Sequence, residues 1–283
     1  SKNYQILYTF VLLYHNLILH FLAFLQILNK SVYNIRQVVY RNISDKYEKI
    51  VSLTYRQVVA AHKLVENTDG ELLFFSKECH SNGCIGTLDI TYPSAPLFLK
   101  YNPELVNAML RPILFFAQTD KWQYEFAPHD IGQYPLANGQ VYGYEKTNPD
   151  DILAMQMPVE ECGNMLISLY AVIKYGGNRD VADKNKQILK QWADYLVKYG
   201  YDPGEQLCTD DFASHMAHNC NLSIKAILGI AAYGKIFSDK NYVDIAEEYA
   251  KKWQLESKGK QASRLAFDKE DSWSLKYNII WDK

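Results

Sequence analysis

The chain has almost no charge imbalance: 30 Lys and Arg stand against 32 Asp and Glu over 283 residues, a formal charge of -2. No basic stripe tracks along it, so nucleic acid is not an expected partner. Its five cysteines (Cys79, Cys84, Cys162, Cys208 and Cys220) form no CxxC pair and keep no regular spacing. A zinc ribbon or a disulfide framework is therefore not indicated. Neither an HExxH helix nor a G-x-S-x-G nucleophile elbow occurs. Between residues 3 and 29 there is no Asp, Glu, Lys or Arg at all. That run is long enough to span a bilayer, but Gln5, His15, Asn16, His20 and Gln26 interrupt it, and polar groups facing lipid are costly. It reads as a buried helix, with an appended leader or a membrane or signal anchor as alternatives, and residues 1–42 are set apart from a domain at 43–283.

What the chain does have is aromatic and apolar residues. Aromatics make up 14%, with 22 Tyr and 5 Trp. Such rings are apolar on the face and hydrogen-bonding at the tip, and they suit the lining of a polar cleft, a habit shared by carbohydrate-binding clefts. Between residues 43 and 65, Tyr47, Ile50, Val51, Tyr55, Val58, Val59 and Ala61 recur largely at three- and four-residue steps, which predicts a helix. After the Asp69-Gly70 turn, residues 71–76 read as a strand or extended arm, and the small β arm is placed near residues 71–78. A helix is predicted over 103–117, with Asn102 as N-cap, Pro103 in its first position, Glu104 in its first turn and a kink at Pro112. Residues 118–158 form a long irregular stretch, of the kind that is usually functional. Helices follow over 159–175, 181–199, 211–237 and 241–254, with a last one beginning near Ser272. The fold class is all-α.

Five polar islands break this helical text, at residues 81–96, 126–138, 157–164, 208–221 and 272–282. Each sits just before or at the start of a predicted helix. In an array of helical hairpins the same ends of alternate helices converge, so the islands are expected to meet in one cleft.

In the third island, Glu160 and Glu161 follow Pro158 in a helix's first turn, where the helix dipole favours the charged form. Carboxylates held there can exchange protons with a substrate or simply complement the dipole. In the fourth, Asp211, His215, His218 and Leu222 fall on one face if residues 211–237 are a single helix. Asp and two His at that spacing could ligate a metal, but a capped polar face is the favoured reading, and no metal or cofactor is expected. Glu160, Glu161, Asp210 and Asp211 are the catalytic candidates. His129, Asp130, Asn164, His215, His218, Asp89, Tyr92 and Trp273 are the candidate substrate contacts. Cys162 and Cys208 adjoin the acidic pairs, where a thiolate is disfavoured, and are assigned to packing.

The strings at residues 72–78 (LLFFSKE), 81–105 (SNGCIGTLDITYPSAPLFLKYNPEL), 126–140 (FAPHDIGQYPLANGQ), 157–167 (MPVEECGNMLI), 206–234 and 272–283, with Thr54-Tyr55-Arg56-Gln57 ahead of them, closely resemble the glutaminase A family. The resemblance runs in order from about residue 47 to the end. It implies a six-hairpin α/α toroid like that of the six-hairpin glycosidases, hydrolysis of L-glutamine to glutamate and ammonia, and a secreted or periplasmic location. Cys162 stands where many relatives have Ser, and family members continue beyond Lys283, so an open or incomplete ring is expected. The sequence thus points to a small-molecule substrate, glutamine or a saccharide, met by paired acids. The alternatives are a glycoside hydrolase, whose inverting form needs acids roughly 6.5–9.5 Å apart, and a non-catalytic binding module.

Overall fold

A computed structural model of the chain describes residues 44–209 and 215–276. The expectations for residues 1–42 and for Asp210 and Asp211 lie outside the described residues. The elements are, in order, α1 (Asp45–Ala60), β1 (His62–Glu66), β2 (Leu72–Ser76), α2 (Leu88–Tyr101), α3 (Pro103–Ala117), α4 (Pro149–Ala154), α5 (Pro158–Lys174), α6 (Asp180–Lys184), α7 (Lys186–Tyr199), α8 (Cys220–Phe237) and α9 (Lys240–Glu256). The fold is all-α with a small two-stranded arm. The chain divides into two compact units at the Phe74–Phe75 bond, inside β2.

In the first unit, Ser44 caps α1 by accepting from the Tyr47 amide, as its hydroxyl side chain favours. The helix stops at Ala60, and His62 opens a strand where the periodicity predicts five more helical residues. Local propensity explains little of this change of state, since Val65 is the only β-branched residue of His62–Glu66; pairing with β2 sets the strand. The arm is a hairpin: Asn67 Oδ1 accepts from the Asp69 and Glu71 amides, and Gly70 takes positive φ at its tip. His62 stacks on Phe74 at 4.8 Å.

The second unit is built on α5 and α8, which pack against each other. Both helices are largely apolar, and most residues of each are buried. α2, α3 and α7 cover α5, while α7 and α9 cover α8, and α2 pairs with α3. The helices come close because glycines face the contact. A Cβ on Gly163 would stand 2.4 Å from Lys225 Cγ, and one on Gly229 would stand 3.3 Å from Gly163 Cα and 2.7 Å from Leu196 Cδ1.

Other boundaries differ from expectation too, and α4 forms within residues 118–158, which were expected to be irregular. α2 forms in the first polar island despite Pro93 and Pro96, since its other residues bury Leu88, Tyr92, Ala95, Phe98 and Leu99. The helix predicted over 181–199 is two helices, with Asn185 ending the first and preceding the second. α8 starts at Cys220 rather than 211, because Asn219 caps it, accepting from the Asn221 and Leu222 amides. Residues 272–276 are not helical, where a last helix was expected to begin. Pro112 lies within a continuous α3.

Gly163→Ala forces a methyl into the α5–α8 contact and is expected to cost about 1–3 kcal/mol. A lowered denaturant midpoint with unchanged slope would show this, and an unchanged midpoint would count against the close helix approach.

Candidate active site

Backbone pairing brings the first two islands together. Ile85 N donates to Gly132 O (2.9 Å), Ile131 N to Ile85 O (3.1 Å) and Leu88 N to His129 O (2.9 Å). Gly86 permits this pairing, since it takes φ of 62° and a Cβ there would stand 2.7 Å from Ile131 Cγ1. Asp89, in the first turn of α2, is thereby set beside His129, with His129 Nε2 3.8 Å from Asp89 Oδ1.

The histidine is rigidly held. Its Nδ1 lies 3.0 Å from Asp130 Oδ2, and its ring stacks on Tyr142 at 4.3 Å. Asp130 also accepts from the amides of Gly132, Val141 and Tyr142. A carboxylate so used accepts from the ring as well, which puts the proton on Nδ1 and leaves Nε2 facing Asp89. The His129 amide donates to Gln140 Oε1 (2.8 Å), and Gln140 Nε2 donates to Gln156 Oε1 (2.7 Å).

The third island supplies Glu160 and Glu161. Consecutive helical residues point about 100° apart, so the two acids enter different surroundings. Glu160 accepts from Lys225 Nζ and from Thr209 Oγ1 (2.9 Å), with the Thr209 amide at 3.4 Å. Lys225 also donates to Asn164 Oδ1 (2.8 Å), and its ammonium sits 4.2 Å from the centre of the Tyr92 ring. Glu161 turns the other way. It is fully buried, accepts from Asn164 Nδ2 at its Oε2 (2.9 Å), and has no partner for Oε1 among the described residues. Asp89 Oδ1 likewise has no hydrogen-bond partner there.

One donor atom each from Asp89, His129 and Glu161 lies within 4.8 Å of the others. This is a trio of metal-ligating type, drawn from three separate parts of the chain. Burial pushes the Asp89 carboxyl up to about 6, with Glu78 and Glu160 adding to the rise against His129 and Lys225. Burial, then repulsion from Asp89 and Glu160, holds Glu161 well above the usual carboxylate range, against the pull of Asn164 and Lys225. For His129, burial acts downward, but the hydrogen bond to Asp130 and the facing Asp89, Asp130 and Glu78 carboxylates outweigh it, and the net direction is up.

Residues from four of the five islands therefore meet: Asp89 and Tyr92, His129 and Asp130, Glu160, Glu161 and Asn164, and Thr209. The other sequence candidates lie elsewhere. His215 Nε2 is 2.8 Å from Ala154 O, and His218 Nδ1 is 2.8 Å from Asp202 Oδ1. Both precede the start of α8, so the single helical face expected for Asp211, His215, His218 and Leu222 does not form. Trp273, in the fifth island, is 68% exposed. Cys162 is buried, accepts from the Ala127 amide (3.4 Å) and has its thiol pushed up by burial, which matches a packing role. Lys225, Glu78, Thr209 and Tyr142 are participants that the sequence candidates did not include. Lys225 could have been found as a lone charge among the apolar residues 220–234. Glu78, which has a buried Oε2 without a partner among the described residues, carries no such signal.

Residues 44–283 match the family model described as the glutaminase A six helical-hairpin domain. The chain is similar to a protein named glutaminase A from Aspergillus oryzae, 35% identical over 249 residues, covering 84% of this chain and 35% of the relative. It is also similar to a "probable glutaminase" from Arthroderma benhamiae, 28% identical over 306 residues, covering 84% of this chain and 34% of the relative. The chain spans about a third of the length of these curated relatives.

Lys225→Met leaves Glu160 buried without its cation and is expected to cost about 3–5 kcal/mol in denaturant unfolding. Adding Glu160→Gln should restore most of that loss. A double variant no more stable than Lys225→Met would show that the pair does not act as a unit.

Proposed function

Since the chain belongs to the glutaminase A six-helical-hairpin family, we propose that it is a hydrolase acting on the side-chain amide of L-glutamine, with water activated at Asp89, His129 and Glu161. The observation that carries this reading is the convergence of two carboxylates with unpartnered oxygens and one oriented imidazole in a largely buried site. The names of the relatives supply the substrate class.

The reaction needs little beyond these groups. Water oxygen adds to the carboxamide carbon as one of its protons passes to a carboxylate. The C–N bond then breaks, and the nitrogen leaves as ammonia after taking a proton from the same set of acids. Glutamine and water become glutamate and ammonia, and the site's proton inventory is unchanged. Two differently placed carboxylates suit this exchange, because one can accept while the other donates.

Glu160 is a positioning residue in this scheme. Its oxygens are taken up by Lys225 and Thr209, and Lys225 in turn holds Asn164, which donates to Glu161. Asn164 is thus the link between the buried ion pair and the reacting acid. The facing atoms of Asp89 and Glu161, within 4.8 Å of each other, stand closer than the roughly 6.5–9.5 Å that inversion at a sugar carbon requires. That separation argues against an inverting glycoside hydrolase.

Ammonia release from glutamine, assayed beside sugar release from a panel of aryl glycosides, tests the reading. Asp89→Asn and Glu161→Gln are each expected to lower ammonia release by about 10²–10⁴-fold, with the exposed Asp183→Asn as an unaffected control. Full activity in both site variants would remove these residues from the chemistry. Sugar release without ammonia would move the substrate class to saccharides, and neither activity would leave a binding module.

A further inference from the structure

The geometry points to a divalent cation site at Asp89, His129 and Glu161, one that holds the attacking water through a metal of the zinc or manganese class. This inference rests on the hydrolase reading for its role, though not for the existence of the site.

Three observations carry it. The donor set is mixed, with one imidazole nitrogen and two carboxylate oxygens from separate parts of the fold, all within 4.8 Å. In a tetrahedral site with bonds of about 2.1 Å the ligand atoms stand about 3.4 Å apart, so loading draws His129 Nε2 and Asp89 Oδ1, now 3.8 Å apart, together by a few tenths of an ångström and the widest pair by up to about 1.4 Å. Glu161 is fully buried and its Oε1 has no partner among the described residues. A buried carboxylate oxygen left unmatched is expensive, and a cation supplies what it lacks.

The third observation lies behind the ligands. Metal-binding histidines almost always donate their other ring N–H to a carboxylate or carbonyl, which fixes the tautomer and aims the free nitrogen at the ion. His129 does this through Asp130, itself locked by three backbone amides. Glu161 is held in the same manner by Asn164, and Asn164 by Lys225. Every ligating group but Asp89 has such a support.

The charge count agrees. Asp89, Glu161, Asp130, Glu160 and Glu78 influence this region, against Lys225 and the imidazole. With Glu160 taken by Lys225 and Asp130 by His129 Nδ1, Asp89 and Glu161 have no cation of their own beyond the other nitrogen of His129, 3.8 Å from Asp89 Oδ1. Three protein ligands leave at least one coordination position open, as in sites where a metal binds and acidifies water. The ligand set, one nitrogen and two oxygens, suits zinc or manganese better than a thiol-seeking metal.

The test is direct binding to the full chain after treatment with EDTA and transfer to metal-free buffer. Calorimetric titration with Zn²⁺ and with Mn²⁺, and electron paramagnetic resonance for Mn²⁺, should show one ion per chain. Asp89→Asn and Glu161→Gln are nearly isosteric and should keep the fold by circular dichroism while weakening binding more than about 100-fold. Asp130→Asn, which touches no ion, should weaken it about 10–100-fold. Bound ion should raise the melting temperature of the unaltered chain and leave that of the two ligand variants where it was. No uptake of either ion by the folded chain would overturn the site, as would uptake unchanged in Asp89→Asn and Glu161→Gln. Full-rate glutamine hydrolysis by the EDTA-treated chain would overturn the ion's role in holding the attacking water while leaving the hydrolase reading in place. One bound ion, lost in the ligand variants, without amide hydrolysis would uphold the site and remove that reading.

Discussion

Lys225 enters the interior in the second turn of an apolar helix, where an unpaired ammonium would cost several kcal/mol, and Glu160 is the group that lets it remain. The remainder of the site is arranged around that pair. With one carboxylate oxygen taken up by Lys225 and Thr209, Glu160 does not compete for the space where Asp89 and Glu161 face each other. The remaining capacity of Lys225 goes to Asn164 and to the face of Tyr92. It therefore ties α5, α8 and α2 together at one point, and Gly163 gives its alkyl stem the room to pass.

This arrangement explains why two adjacent glutamates behave differently. Their difference is one of helical phase. Glu160 points into a partnered, ionic environment, and Glu161 points into a buried region already occupied by Asp89. Burial and like-charge repulsion then act on Glu161 and Asp89 together. A structure seeking stability alone would have placed apolar residues there. Keeping two facing acids in a buried site is a cost that a packed helical core offsets elsewhere, and such conflicts concentrate where chemistry is done.

Much of the fold was legible because α3, α5 and α9 obey local rules: a capping Asn102, Pro at the first position, or a clear helical period. The failures have physical causes. Pro93 and Pro96 hid α2, since the proline signal outweighs the burial of five apolar residues that only tertiary contact reveals. α8 begins nine residues later than the predicted start at residue 211, because Asn219 caps it and the sequence does not rank Asn219 against the acidic residues upstream as a cap. Of the candidate site residues, Glu160, Glu161, His129, Asp130, Asn164, Asp89 and Tyr92 do come together. The islands drew attention to them because polar residues crowded at helix starts have few other reasons to be there. His215 and His218 do not join them, since their grouping depended on a helix that begins after both.

Lys225 and Asn164 show what sequence pattern cannot express. A lysine in an apolar run is visible, but its meaning depends on a carboxylate 65 positions away. Asn164 looks like an ordinary polar residue one turn beyond Glu161, yet it both accepts from the ammonium and donates to the acid. An amide is the side chain that can do both at once, having an acceptor and donors on one planar group. Asp in its place would add another negative charge to a region already in excess, and Leu would leave Glu161 with neither oxygen matched. The role of Asn164 therefore follows from its position between a buried cation and a buried acid, and that position exists only once α5 and α8 have packed.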